Sequence, residues 1–320
     1  MPNLSLLAPG RLHIPDGFLS LGVSLVGWVL AIAAIAYALR QTRGQLGSKQ
    51  IPLMGVLAAF IFAAQAINFP VAGGTSGHLL GGTLAAIILG PWAAVLVMTA
   101  VISVQALLFQ DGGLLVMGFN IVNMGVLTAF TGHFLYQVLK KSLGESRTSL
   151  LAAGAAGAWI SVILGASAAA VELAISGTSP LGVALPAMTG VHALIGIGEA
   201  LITVGALAFI STARPDLLDM GQQAPAKATA NWAMGGLVIA LVVAAFSPLA
   251  SSQPDGLNRV AEDLGFGAQA QGPVFELLSG YAVPIMNNEV LSKIVAVVVG
   301  TLVVFGLAWL VARIQRKTTA

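Results

Sequence analysis

Hydrophobic positions in this chain gather into long, nearly unbroken runs instead of alternating with polar ones. Apolar segments cover about 18–39, 51–69, 77–89, 91–108, 114–139, 149–176, 185–211, 231–248 and 291–312. Runs near 20 residues match the hydrocarbon thickness of a bilayer. They predict helices, because a backbone in lipid must satisfy its own polar groups. The third run is short for a full crossing and meets the fourth at Gly90-Pro91.

The charged residues fix how these runs are threaded. With nine spans and the N-terminus outside, eleven of the 14 basic residues fall in inner loops: Arg40, Arg43, Lys49, Lys140, Lys141, Arg147, Arg214, Lys227, Arg313, Arg316 and Lys317. Fusing the third and fourth runs would move Lys140, Lys141 and Arg147 outside, against the positive-inside rule. Separate spans are therefore expected.

Composition agrees, at 57% hydrophobic and 8% charged over 320 residues. So few charges cannot solvate a water-exposed surface, and a transmembrane barrel would show short alternating strands. The expected fold class is all-α: a polytopic transmembrane helical bundle of about seven helices plus a two-helix C-terminal module. The expected division is a transmembrane domain over 12–220, a polar linker over 221–230, and a module over 231–313 with an acidic outer loop. The chain has no cysteine, which excludes disulfides, thiolate zinc sites and iron–sulfur clusters and leaves nitrogen and oxygen as metal donors.

On this topology Gln65, Asn68, Thr75, Ser76, His78, Gln105, Asn120, Asn123, Glu172 and His192 converge on one depth near the outer face. Polar groups within a membrane usually face a bundle interior or a cavity, though single Asn and Gln residues also serve as interhelical glue. His13 precedes the first span within Leu12-His13-Ile14-Pro15-Asp16-Gly17-Phe18-Leu19, and His78 closes the glycine-rich stretch that begins at Asn68-Phe69-Pro70. Two imidazoles at one membrane level can clamp a divalent ion. His192 and Glu199 are seven residues apart on one helix face, about 10 Å of rise, too far to share an ion. His192 is read as a lining residue and Glu199 as a structural one. His133, near an inner helix end, is read as structural or interfacial.

The His13-Ile-Pro-Asp-Gly-Phe-Leu-Ser20 stretch, Asn68-Phe-Pro, Gly-Thr-Ser-Gly-His78 and His192-Ala-Leu-Ile-Gly-Ile-Gly-Glu199 together resemble the CbiM/NikM family over roughly residues 12–215. Those proteins are substrate-binding membrane subunits of energy-coupling-factor transporters for cobalt and nickel. The resemblance implies an N-terminal segment folded back into the bundle. It also implies metal ligands at His13 and His78 and at the amine of Leu12 where the mature chain starts there, with Asn68, Ser76 and His192 lining the site. Amine, amide and imidazole of successive residues close five- and six-membered chelate rings, and a second imidazole completes a square. That geometry suits Ni(II), while zinc prefers a tetrahedron. Eleven residues precede Leu12, and leucine codons include two that bacteria use as starts. The expectation is therefore a mature chain opening at residue 12, by initiation there or by trimming.

Ser247-Pro-Leu-Ala-Ser-Ser-Gln-Pro254-Asp255-Gly256-Leu257 resembles the start of a PDGLE (CbiN-like) domain, with Asn258 in the glutamate position. The acidic loop offers either a field that concentrates cations or an ordinary solvated surface. Deleting residues 231–320 is expected to impair transport more than equilibrium binding, because the candidate ligands all lie earlier.

No phosphate-binding loop, His-Glu-x-x-His or cysteine nucleophile occurs, so no enzyme is expected. The resemblance implies an energy-coupling T-type transmembrane subunit and separate ATPase subunits as partners, with no nucleic acid. It places the chain in the lipid bilayer of the cell inner (plasma) membrane, carrying Ni(II) or Co(II) as substrate and no cofactor. Two alternatives stand: a self-sufficient secondary metal-ion transporter and a membrane metalloenzyme.

Overall fold

The computed structural model describes residues 13–47, 49–218, 228–272, 275 and 277–316. Leu12 and most of the expected linker lie outside these residues. The long apolar runs are helices: α1 (Leu21–Thr42), α2 (Gln50–Gln65), α3 (Gly82–Leu89), α4 (Pro91–Val104), α5 (Met117–Asn120), α6 (Thr128–Leu143), α7 (Arg147–Ile175), α8 (Leu181–Ala213), α9 (Ala228–Ala245), α10 (Gly256–Asp263) and α11 (Glu289–Ile314). A π-helical stretch over Gln105–Phe109 extends α4, and another over Ile121–Leu127 joins α5 to α6 without a break. Side-chain oxygens cap some helix starts: Ser20 accepts from Val23 N on α1, and Ser146 accepts from Ser149 N on α7.

Among the described residues, five helices are long and apolar enough to cross a bilayer: α1, Pro91–Phe109, α7, α8 and α11. The outer helix faces carry bare aliphatic side chains such as Val29 (67% exposed) and Leu201 (68% exposed). Such a surface suits acyl chains and not water. The polar residues singled out above turn the other way. Gln65, Ser76 and Gln105 have no exposed surface, and Asn120 and Asn123 are buried.

The third apolar run departs from a plain span. A hairpin precedes it, β1 (Phe69–Val71) against β2 (Thr75–Gly77), with Pro70 opposite Ser76. An extended stretch then leads to the eight-residue α3. At about 1.5 Å per residue, eight residues rise only about 12 Å, so α3 does not cross by itself. Gly73 and Gly74 are turn residues at positive φ, not helix-packing residues. Close helix approach is served instead by Gly82, where an added Cβ would strike Thr128, and by Gly157, where it would strike the Gly132 carbonyl.

The C-terminal helices α9 and α11 lie against α2. The Phe305 ring lies against Gly55, Val56 against Gly236, and Phe62 with Phe109 against Gly300. At the inner end Gly44 N donates to Gln315 O at 3.0 Å. The outer loop folds onto the bundle. Leu257, Val260 and Phe266 form one buried cluster with Ile14, Phe18 and Leu173. An ordinary solvated loop, one of the two expectations, does not describe it.

Candidate metal centre

The N-terminal segment turns into the outer end of the bundle because its polar groups find fixed partners there. The Asp16 carboxylate accepts from the N–H groups of Leu114, Leu115 and Val116 at 3.0, 2.9 and 3.2 Å, just ahead of α5. Those amides precede a helix start and lack intrahelical acceptors. Ile14 and Asn120 exchange two hydrogen bonds, both 3.1 Å. Gly17 makes the bend at φ +94°, where a Cβ would fall on the Gln269 carbonyl. Phe18 is fully buried, edge-on to Phe266.

His78 arrives on the extended stretch between β2 and α3. Unpaired backbone at membrane depth is costly unless protein groups satisfy it. Glu199 of α8 supplies both carboxylate oxygens, accepting from Leu80 N (2.5 Å) and Gly81 N (2.9 Å), and Gln65 Nε2 donates to Leu80 O at 2.8 Å. Glu199 is thus a backbone clamp, consistent with its structural reading.

These two segments bring His13 and His78 together. Their ring centroids are 5.6 Å apart at an interplanar angle of 78°. Both rings line a cavity of about 70 Å³ with His192, Asn123, Met124 and Asp255. One water needs roughly 10–15 Å³ by this measure, so the volume admits a cation with a few waters. A carbonyl only accepts, which fixes the tautomers. His13 Nδ1–H donates to Asp111 O (3.2 Å), His78 Nδ1–H to Leu79 O (2.9 Å) and His192 Nδ1–H to Met188 O (2.8 Å). In each neutral ring the lone pair then lies on Nε2. His13 Nε2 and Asn123 Oδ1 are buried acceptor atoms without a hydrogen-bond partner in the protein.

Beyond this imidazole pair, no three His, Asp or Glu side chains among the described residues group closely enough to hold a metal. A chelate through the His13 amide uses Nδ1 and requires the ring to turn from Asp111. Ligation through Nε2 requires no movement.

The residues expected to line the site separate. His192 stands on the cavity wall, its ring so close to Gly256 that a Cβ there would lie 2.8 Å from it. Ser76 faces the C-terminal loop, with its N–H bonded to Pro254 O and its hydroxyl to Gln253 O, both at 2.8 Å. Asn68 accepts from Ser251 N through its backbone carbonyl at 2.8 Å. Both stand at the seam with the second module, off the cavity wall.

Two residues escaped the sequence reading. Asp111 is 1% exposed and also places a carboxylate oxygen 3.7 Å from His13 Nδ1. Tyr281, from the C-terminal loop, donates its hydroxyl to Asp111 at 2.6 Å. Burial and the Asp111 charge hold that phenol well above the usual tyrosine range. Asp255 roofs the cavity, and burial, reinforced by the Asp111 and Glu262 charges, raises its carboxyl to about 8. Nothing local in the sequence marks the Asp111–Tyr281 pairing, which spans 170 residues.

A buried imidazole pair at the outer end of a helical bundle, with residues of a second module on the cavity wall, defines a helical membrane protein with a polar cavity inside its bundle. The chain belongs to the CbiM family, described as the cobalt uptake substrate-specific transmembrane region, matched over residues 13–217; a PDGLE domain is matched over 230–317. It is 36% identical to a putative fused nickel transport protein NikMN of Archaeoglobus fulgidus, covering 95% of this chain and 99% of that one. It is 34% identical to the cobalt transport protein CbiM of Sorangium cellulosum over 65% of this chain and 95% of the other. A crystal structure of a truncated transition metal transporter superposes with a TM-score of 0.57 at 32% identity, covering 62% of this chain and 98% of that one. The chain is a membrane transport component and not an enzyme, which removes the metalloenzyme alternative.

Proposed function

We propose that this chain is the substrate-binding membrane component of an ATP-driven energy-coupling-factor uptake transporter, carrying Ni(II) or Co(II) across the inner (plasma) membrane. The observation that carries the proposal is the apposition of His13 and His78 on the wall of one cavity. Both rings are held by backbone carbonyls in the tautomer that leaves Nε2 its lone pair. Metal-bound histidines characteristically donate their other ring nitrogen in this way. The fused nickel transport proteins of A. fulgidus and Rhodobacter capsulatus, at 36% and 32% identity, support nickel as cargo.

The division of labour we infer places the ion in residues 12–220 and the cover in the module over 231–313. Where Leu12 is the mature terminus, its amine and the His13 amide join the ligand set, and the His13 ring then turns from Asp111 so that Nδ1 closes the chelate. Energy then comes from separate T-type and ATPase subunits. A self-sufficient secondary transporter would want a titrating acid at mid-depth, and Glu199, the candidate, is committed to two backbone amides.

Nickel uptake into membrane vesicles, with and without the ATPase partners, tests the proposal. Uptake that requires the partners and ATP is expected. Uptake by this chain alone, driven by an ion gradient, would establish the secondary-transport reading instead.

A further inference from the structure

At the inner end of the bundle, away from the histidines, a second and larger cavity opens at the foot of α3. α6 runs beside α3, with Gly132 so close to Thr83 that an added Cβ would strike its side chain. α3 stops at Leu89 while α6 continues to Leu143, and the chain turns at Gly90 with φ +82°. The recess at that step measures about 620 Å³ and lies between α3, α6, the start of α2 and the short turn Pro215–Leu217. That is the size of a site for a small organic molecule, against about 70 Å³ for the cavity that the histidines line.

The walls of the recess divide by chemistry. Ile87, Ile88 and Leu89 of α3 line it and are only partly buried. Lys49, just before α2, and Lys140 of α6 line it as well. Lys140 Nζ stands 5.8 Å from the centroid of the Tyr136 ring, a cation–π contact that holds the ammonium in place. Neither lysine forms an ion pair among the described residues. Asp216 is also on the wall, but Arg214 donates to both of its oxygens, at 2.7 and 2.8 Å. That pairing holds its carboxyl below the usual aspartate range, with a weaker pull from the Lys49 charge. Asp216 is therefore already balanced, and the charge of the two lysines is left without a counterion.

We propose that this recess is a binding site for an anionic phospholipid, with the phosphate between Lys49 and Lys140 and an acyl chain along Ile87, Ile88 and Leu89. The positive-inside rule puts both lysines at the cytoplasmic leaflet, and basic pockets between helices on that side take acidic headgroups. A free phosphate would balance the lysines and leave the apolar wall wet. A neutral lipid would cover that wall and leave two ammonium groups uncompensated. A phospholipid with net negative charge satisfies both parts at once. It would also brace α3 from below, and α3 begins at Gly82, four residues after His78.

The test uses full-length protein in phosphatidylcholine nanodiscs with and without phosphatidylglycerol, beside the Lys49→Gln/Lys140→Gln double variant. Native mass spectrometry of protein released from the discs counts retained lipid, and thermal unfolding in the discs reads its effect. Wild type is expected to retain phosphatidylglycerol in preference to phosphatidylcholine and to unfold at a higher temperature when it is present. The glutamine variant should hold it about thirtyfold more weakly, roughly fivefold for each lysine at an acidic membrane surface, and should lose the thermal shift. Lys49→Arg/Lys140→Arg keeps the charges and should keep the lipid. Arg40→Gln/Arg43→Gln removes two charges of the same inner face that lie off the recess and should behave as wild type.

Equal retention by the glutamine variant and wild type would overturn the site. An equal loss in the variant lacking Arg40 and Arg43 would reduce the effect to general surface charge and overturn it likewise. Inorganic phosphate separates the two sources of the anion: it should neither displace the lipid nor raise the unfolding temperature in phosphatidylcholine alone. Phosphate that did either would make the recess a site for a free anion and overturn the lipid assignment.

Discussion

The rings of His13 and His78 meet edge to face with centroids 5.6 Å apart, although 65 residues and two apolar helices, α1 and α2, separate them in the chain. Each is delivered by a non-helical segment whose backbone is tied down by buried side chains, Asp16 and Asn120 for the first and Gln65 and Glu199 for the second. The site therefore depends on irregular backbone held inside a bundle. Such backbone is tolerated in membranes only where protein satisfies it.

Removing either imidazole should remove the site and leave the bundle intact. His13→Ala and His78→Ala are each expected to weaken nickel binding by more than about 100-fold, beyond the 10–100-fold that outer-shell losses cause. Expression and membrane insertion should be unchanged, because neither ring fills a helix–helix contact. Metal content of purified protein, with equilibrium titration, is the measurement. Wild-type nickel content in either variant would remove that residue from the ligand set.

Glu199 offers a graded test of the backbone clamp. Glu199→Leu leaves the amides of Leu80 and Gly81 without acceptors in a buried place, at a cost of about 1–3 kcal/mol for each unsatisfied group. Glu199→Gln keeps one acceptor oxygen and should lose roughly half as much. Thermal unfolding in detergent ranks the three proteins, with wild type above Gln above Leu. A leucine variant as stable as wild type would show that the clamp carries no weight.

The pattern of apolar runs made the helical bundle legible, and the two histidine motifs were legible as motifs. Hydrophobic periodicity says nothing about where a run gives way to extended backbone, so the hairpin and the short α3 did not show. Asp111 and Tyr281 were invisible for a different reason. Each looks like an ordinary loop residue, and only the return of the chain 170 residues later turns them into a buried pair. Ser76 and Asn68 were placed at the right depth, but depth alone does not say whether a side chain faces the cavity or the module that covers it.

That cover changes what truncation should do. The ligand candidates all precede residue 231, which by sequence alone argues that deleting the module spares equilibrium binding. Asp255, Gly256 and Leu257, however, form part of the cavity wall. A milder perturbation than deletion is Gly256→Val, whose side chain would meet the His192 ring and Ile195 at under 3 Å. Overpacking of this kind costs about 1–3 kcal/mol, enough to lift the loop. Faster proteolysis within 249–281 and weaker nickel retention are expected together. Normal retention in a protein whose loop is cleaved would mean that the cover is dispensable for binding.

The cover should also respond to pH through Asp255. Its carboxyl oxygen accepts from Asn258 N at 2.7 Å as the cap of α10, and burial raises its pKa to about 8, against about 3.9 for a free aspartate. The docked loop thus holds a proton that the undocked loop releases. Docking is fully stabilised below about pH 4, loses ground as pH rises above that, and has lost this contribution once pH passes about 8. Asp255→Asn keeps an equally good helix cap and carries no proton to lose, so its docking should be flat with pH. Limited proteolysis of the outer loop between pH 5 and 9 compares the two proteins. Cleavage of wild type should accelerate toward pH 9 while the asparagine variant stays protected. Parallel acceleration in both would place the pH response in some group other than Asp255.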